Sequence, residues 1–328
     1  MRFGTFIPQG WRHDLVGIEP ADQWRVMASL AQSADRGPWE SLWVYDHFHT
    51  VPVVSQEATH EAWTLMAAFA AATDRIRLGQ MCTCMGYRNP AYLAKVAATI
   101  DVISGGRVEM GIGGGWYEHE WRAYGYGFPS IGERLGMLDE GVQIMKEAWA
   151  TGSATFAGKH YTVDGAIVQP QPLQEGGIPV WIAGGGEKVT LRIAAQYGDY
   201  VNWSSNPDEF SRKREIFEGH CATLGRDADE IVRSANFNTV VGETDGEVEE
   251  RLDRMEARIE PFLGAKTADY MREYRSRTAL VGTIEEVSER LDAMRARGLD
   301  YAIHYFPEHA FDRSGVDLFE RDVIPAMS

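Results

Sequence analysis

Asp46-His47-Phe48-His49 closes an apolar run at residues 41–46, and it sets a carboxylate beside an imidazole where a strand should end. A histidine, with an unperturbed pKa of ~6.5, can pass a proton near neutral pH. The same pair also serves as an ordinary hydrogen-bonded turn that caps a strand. A second group is Gly184-Gly185-Gly186. It stands between the apolar run Ile178-Pro179-Val180-Trp181-Ile182-Ala183 and the helical stretch Glu187-Lys188-Val189-Thr190-Leu191-Arg192. Without Cβ atoms the backbone can approach an anion closely, and the free N–H groups of a first helical turn point at it. That arrangement holds a phosphate, although a tight βα turn uses the same glycines.

Other polar patches follow apolar runs. They are Cys82-Thr83-Cys84-Met85-Gly86-Tyr87-Arg88-Asn89-Pro90, Trp116-Tyr117-Glu118-His119-Glu120 and His304-Tyr305-Phe306. His47 and His49 share a side of an extended chain, but no third metal ligand is identifiable. His119-Glu120 starts like HExxH, yet Ala123 stands where the second histidine belongs, so zinc is unsupported. Cys82, Cys84 and Cys221 have the wrong spacing for a CxxC pair and read as small buried thiols of a reducing cytoplasm. Arg88 reads as a loop brace. Trp11, Trp43 and Trp116 suit packing or a wall for a flat ring.

The elements that must position these groups alternate regularly. Strands are expected at 3–8, 41–46, 76–82, 107–112, 179–183, 200–203, 234–241 and 301–306. Between them lie apolar stripes of helical period, one of Leu93, Val96, Ala97, Ile100 and Ile103 and another of Leu135, Leu138, Val142, Met145 and Trp149. Thr244 with Glu247 and Thr283 with Glu286 form capping boxes, and Gly298 ends the last helix. Eight such units predict a (β/α)8 TIM barrel rather than an open Rossmann sheet. The first strand runs into Pro8-Gln9-Gly10-Trp11 with no dinucleotide fingerprint, and Gly111-Ile112-Gly113-Gly114-Gly115 is followed by Trp116 instead of the last glycine. A barrel of ~250 residues leaves roughly 80 for insertions, at 47–60, 113–132, a small hairpin at 156–165, and 262–282. One domain, 1–328, is expected.

Net charge is 32 − 48 = −16, which gives phosphate backbones and anionic membranes no electrostatic hold. The N-terminal residues read as a strand and lack a secretion signal, and the longest apolar stretch, 62–72, is too short for a bilayer span. A cytoplasmic location follows as an expectation.

Taken together and in order, the motifs resemble the luciferase-like monooxygenase superfamily, and within it the reductases that use coenzyme F420, an 8-hydroxy-5-deazaflavin. The residues carrying the resemblance are Asp46-His47-Phe48, Tyr87-Arg88-Asn89-Pro90, and Asp101-Val102-Ile103-Ser104-Gly105-Gly106-Arg107 leading to the Gly111 segment. Glu133-Arg134, Gly158-Lys159-His160-Tyr161 and Ala183 through Arg192 complete it. The resemblance implies a barrel with insertions after its strands. It places Asp46 and His47 beside the deazaflavin ring and Met81, Cys82 and Thr83 behind it, with a non-proline cis peptide at Met81-Cys82. Gly184, Gly185, Gly186 and Glu187 would hold the cofactor phosphate. His47 would be the proton donor, oriented by Asp46, with Glu118, His119 and Glu120 as second choices. Sugar-phosphate dehydrogenases of the family carry a catalytic glutamate where this chain has Trp116, so reduction of an activated C=C, C=N or C=O on an apolar or planar small molecule is expected instead. FMN with oxygen chemistry is the alternative. Relatives pair through helices beside the second and third strands, so a homodimer is expected.

Overall fold

A computed structural model of the chain describes residues 1–276 and 278–327. Its strands in chain order are β1 (Arg2–Phe6), β2 (Ser41–Val44), β3 (Arg77–Gln80), β4 (Thr83–Cys84), β5 (Val108–Gly113), β6 (Ser153–Ala157), β7 (Thr162–Ile167), β8 (Val180–Ala183), β9 (Tyr200–Trp203), β10 (Val232–Gly242), β11 (Leu280–Thr283) and β12 (Tyr301–Tyr305). The chain divides into two compact units. The first takes Met1–His60, Trp203–Arg214 and Arg233–Ser328; the second takes Glu61–Asn202 and Glu215–Val232.

In the first unit the strands run parallel in the order β11-β10-β12-β1-β2. Parallel neighbours need a crossover, and the helix Pro20–Arg36 supplies it between β1 and β2, while the helix Ile284–Ala296 runs from β11 to β12, which lie on either side of β10. The second of these starts as its sequence predicts. The Thr283 hydroxyl accepts from Glu286 N–H, and the Glu286 carboxylate accepts from Thr283 N–H. At Thr244 only half of the box forms, because the Glu247 carboxylate turns to Glu243 N–H instead. Among the described residues, the stretch expected to be an excursion at 262–282 holds two elements besides a 3-10 turn at Gly264–Lys266. They are the helix Thr267–Tyr274 and β11, a strand only four residues long and half-buried on alternate residues.

In the second unit β3, β5, β8 and β9 are parallel neighbours, and β4 extends the β3 side of β5. The hairpin is present as β6 and β7, paired antiparallel. Glu109, the second residue of β5 and almost fully buried, is paired with Arg77 and accepts from Trp181 Nε1–H at 2.6 Å. A buried carboxylate without such partners would be costly. Helix Pro90–Ser104 is capped by the Asn89 carboxamide and ends at Gly105, whose φ of +72° favours glycine. Asp101 on that helix accepts from Val108 N–H and Leu173 N–H, and Arg107 donates to the carbonyls of Ala70, Thr73, Ile76 and Ser104. The Asp101-to-Arg107 motif is therefore a lock between helix and strand. Of the predicted stripe, Leu93, Ala97 and Ile100 are buried, whereas Ile103 is 49% exposed. Among the described residues no helix is long and apolar enough to cross a membrane.

Candidate active site

In the first unit, Asp46 and His47 follow β2, Asp46 buried and His47 half-buried. The His47 ring lies flat on Trp11, with centroids 4.2 Å apart and planes parallel. Trp11 meets Tyr45 at 4.2 Å, and Tyr45 stacks on Phe6 at 4.2 Å. Gln9 holds this loop in place: its amide nitrogen donates to the carbonyls of Tyr45 and His60, and its oxygen accepts from Tyr45 N–H. Gly10, with φ +98°, passes so near Ala58 that a Cβ would collide with that carbonyl. Asp14 accepts from Gly10 N–H at 2.6 Å and from the Tyr305 hydroxyl at 3.0 Å. Burial pushes its carboxyl above the ordinary range while those bonds pull the other way.

The second unit holds the remaining predicted residues. β3 breaks after Gln80 and resumes at Thr83, and the Met81-Cys82 peptide between them is cis, as the resemblance implied. The Thr83 hydroxyl donates to the Gln80 side-chain oxygen at 2.8 Å, and the Gln80 amide nitrogen is buried without a partner among the described residues. Two glycines of β5 make room for this break. A Cβ on Gly111 would collide with the Gln80 carbonyl, and one on Gly113 would lie 2.9 Å from both Cys82 Sγ and the Ala183 carbonyl. Cys82, Gly113 and Ala183 are thus brought together.

Beyond Ala183 the glycine turn leaves β8. Gly184 has φ +124°, and Gly184 and Gly186 are exposed. The helix begins at Thr190, three residues later than its sequence suggests, because 187–189 form a turn closed by Leu191 N–H donating to the Gly186 carbonyl. No side chain caps its N-terminus. Exposed glycines ahead of an uncapped helix fit a phosphate. His220 fixes the turn from behind, with Nε2 2.7 Å from the Glu187 carbonyl oxygen.

Some strand-end residues have other work. His304 is wholly buried among the rings of Phe3, Trp39, Phe237, Phe306 and Phe319, with Nδ1 2.9 Å from Thr239 Oγ1. Burial pushes its pKa down to about 3, so it is a core imidazole. Glu120 is buried and accepts from the Tyr87 hydroxyl, while exposed Glu118 pairs with Arg122. Arg88 braces as expected, bonding the Glu61 carboxylate that caps helix Ala62–Ala72. Trp43 is packing, Trp116 is 61% exposed and stacked on Tyr117, and Trp11 lines a cavity. The same cavity is lined by Arg12, Asn238 and Glu273, which sequence reasoning missed. A lone arginine in a loop carries no spacing, and its one signal was the neighbouring Trp11.

A family model described as luciferase-like monooxygenase matches residues 1–301. An F420-dependent glucose-6-phosphate dehydrogenase of Nocardia farcinica is 28% identical over 330 aligned residues, 92% of this chain and 94% of the relative. The pyrimidine monooxygenase RutA of Stutzerimonas stutzeri is 32% identical over 191 residues, 56% of this chain; the match spans 51% of that relative, about half its length. The crystal structure of the monooxygenase RslO1 from Streptomyces bottropensis aligns over 100% of both chains with a TM-score of 0.83 at 22% identity. That likeness shows the fold, the α/β TIM barrel expected from the βα rhythm. With the family model covering most of its length, the chain belongs to the luciferase-like monooxygenase family.

Proposed function

We propose that the chain is an F420-dependent oxidoreductase that reduces an activated C=C, C=N or C=O of a small apolar or planar molecule. The observation that carries this reading is the half-buried His47, stacked on a tryptophan that lines a cavity and preceded by a buried aspartate. The preference for a deazaflavin draws support from the Nocardia farcinica dehydrogenase, which matches over 92% of this chain. When bound, a deazaflavin supplies hydride and, with carbon at position 5, reacts poorly with oxygen.

The chain's own residues would do the rest. His47 delivers a proton to the reduced substrate, and Asp46 orients its ring. Met81, Cys82 and Thr83 back the cofactor ring; the amides of Gly184, Gly185, Gly186 and Glu187 hold its phosphate. Trp11 and Tyr45 keep water from the reacting atoms. Exposed Trp116 has no proton to give where a sugar-phosphate dehydrogenase carries glutamate, which favours reduction over sugar oxidation. A second reading, an FMN monooxygenase fed by a partner reductase, is supported by the 32% identity to RutA. A homodimer through helices Ala62–Ala72 and Pro90–Ser104 is also proposed. These helices line an open groove of about 530 Å³, and Tyr92 and Ile103 on it are 62% and 49% exposed.

Parallel fluorescence titrations with coenzyme F420 and with FMN test the cofactor. Saturable binding of F420 alone is the expected result. A preference for FMN, with oxygen uptake when reduced FMN is supplied, would move the assignment to the monooxygenase reading. Binding of neither would reduce the glycine turn to a plain βα connection.

A further inference from the structure

The cavity that Trp11 lines in the first unit has a volume of about 270 Å³ and is walled by the rings of Trp11, Tyr45 and Tyr305. Among its described lining residues Arg12 is the one cation. The guanidinium carbon lies 5.2 Å from the Trp11 ring centre and 5.1 Å from that of Tyr305, so the group is gripped between two aromatic rings. Among the described residues only one of its nitrogens has a hydrogen-bond partner. Nη1 donates to the Asn238 side-chain oxygen at 3.1 Å and stands 3.6 Å from Glu273 Oε1. Nε is buried with no acceptor, and Nη2 has none among the described residues. Those two nitrogens form the side-on edge of a guanidinium, whose parallel N–H bonds match the two oxygens of a carboxylate.

Glu273 does not fill that edge. Its Oε1 accepts from Asn238 Nδ2–H at 2.7 Å, and its side chain is 44% exposed, so water screens its charge. What the pocket lacks is a flat pair of oxygens, and what its walls offer is flat apolar surface. A lone carbonyl would meet one N–H of the edge, and a phosphate or sulfate would present no planar body to three rings.

We propose that Arg12 anchors the carboxylate of a flat, conjugated carboxylic acid in this cavity. The proposal rests on the reading of the chain as a small-molecule oxidoreductase and names the class of its substrate. His47 stacks on Trp11, the same ring that Arg12 contacts, which ties the anchor to the proposed proton donor.

Isothermal titration of the full chain, alone and with F420 present, tests the anchor. The probes are trans-cinnamate and cinnamamide, which share a plane and differ in charge and in the paired oxygens. In either series cinnamate should bind at least tenfold more tightly than the amide. Arg12→Lys, which keeps the charge and loses the fork, should weaken cinnamate tenfold or more and leave the amide unchanged. Glu273→Gln should tighten cinnamate several-fold by removing the neighbouring negative charge. Equal affinity for acid and amide, binding of neither, or an Arg12→Lys protein that binds cinnamate like the wild type would each overturn the proposal. If Arg12→Lys does not fold by circular dichroism, the acid–amide comparison and Glu273→Gln still decide it. An acid preference in a chain that binds neither F420 nor FMN would sink the oxidoreductase reading and leave the anchor standing.

Discussion

His47 is half-buried and stacked on Trp11, whereas His304 is wholly buried among five aromatic rings. Two imidazoles that both follow apolar runs therefore have opposite capacities. Replacing His47 with Asn should cut the rate of substrate reduction by about 10²–10⁴ while cofactor affinity stays within a few-fold. Steady-state kinetics beside the F420 titration measure both, and an unimpaired His47→Asn enzyme would shift the donor to Glu118 or His119. His304 predicts something about folding instead. Burial lowers its pKa to about 3 in the folded state, so the neutral ring contributes its full stability above the unfolded value of ~6.5. As pH falls from there towards 3, the unfolded chain takes up a proton that the folded chain refuses, at a cost of about 1.4 kcal/mol per pH unit. His309, lowered to about 3 chiefly by burial, adds a similar slope. Urea midpoints at pH 7 and pH 5 should show the loss, and His304→Phe should remove roughly half of the histidine share. A slope unchanged by that substitution would refute the burial account.

At the scale of elements, the break in β3 depends on the lack of a side chain at Gly111 and Gly113 of β5. Gly111→Ala should destabilise the fold by about 1–3 kcal/mol, read from denaturation midpoints, because the added methyl meets the Gln80 carbonyl rather than a movable side-chain tip. Gly186→Ala should act differently. Its Cβ would lie 2.7 Å from Thr190 Oγ1, so cofactor binding should weaken about tenfold with little loss of stability, and adding Thr190→Ala should restore it. If Gly186→Ala binds normally, the turn does not hold the phosphate. These elements were legible to different degrees. Runs with β-branched and aromatic residues, such as 200–203 and 301–306, fell within a residue of the observed strands. β11 did not, since Leu280-Val281-Gly282-Thr283 has no aromatic residue, contains glycine and follows a polar stretch. The helix after the glycines starts late because its first turn closes on Gly186 from position 191, a bond that propensity does not encode. Asp46, His47 and the glycine turn were visible as motifs. Arg12 was not, because its meaning lies in Asn238, Glu273 and Tyr305, more than two hundred residues away in sequence.

The whole molecule carries a net charge of −16 and still leaves Tyr92 and Ile103 exposed on one helix. If that face joins two copies, Ile103→Arg should halve the mass seen by light scattering without changing the circular dichroism spectrum. A wild-type chain that already runs as a monomer would discard the dimer. The pairing of β1 with β12 bears on how the protein is made. Arg2 lies opposite Tyr301 and Thr5 opposite His304, so one edge of the first strand waits for the last to be synthesised. At ~5–20 residues per second that wait lasts roughly 15–60 seconds. Throughout it a nascent chain presents Phe3-Gly4-Thr5-Phe6 with unpaired backbone groups along that edge. The ribosome-bound chain is then a natural client for a chaperone that shields open strands, and its yield should depend on that protection more than on the stability of the finished fold.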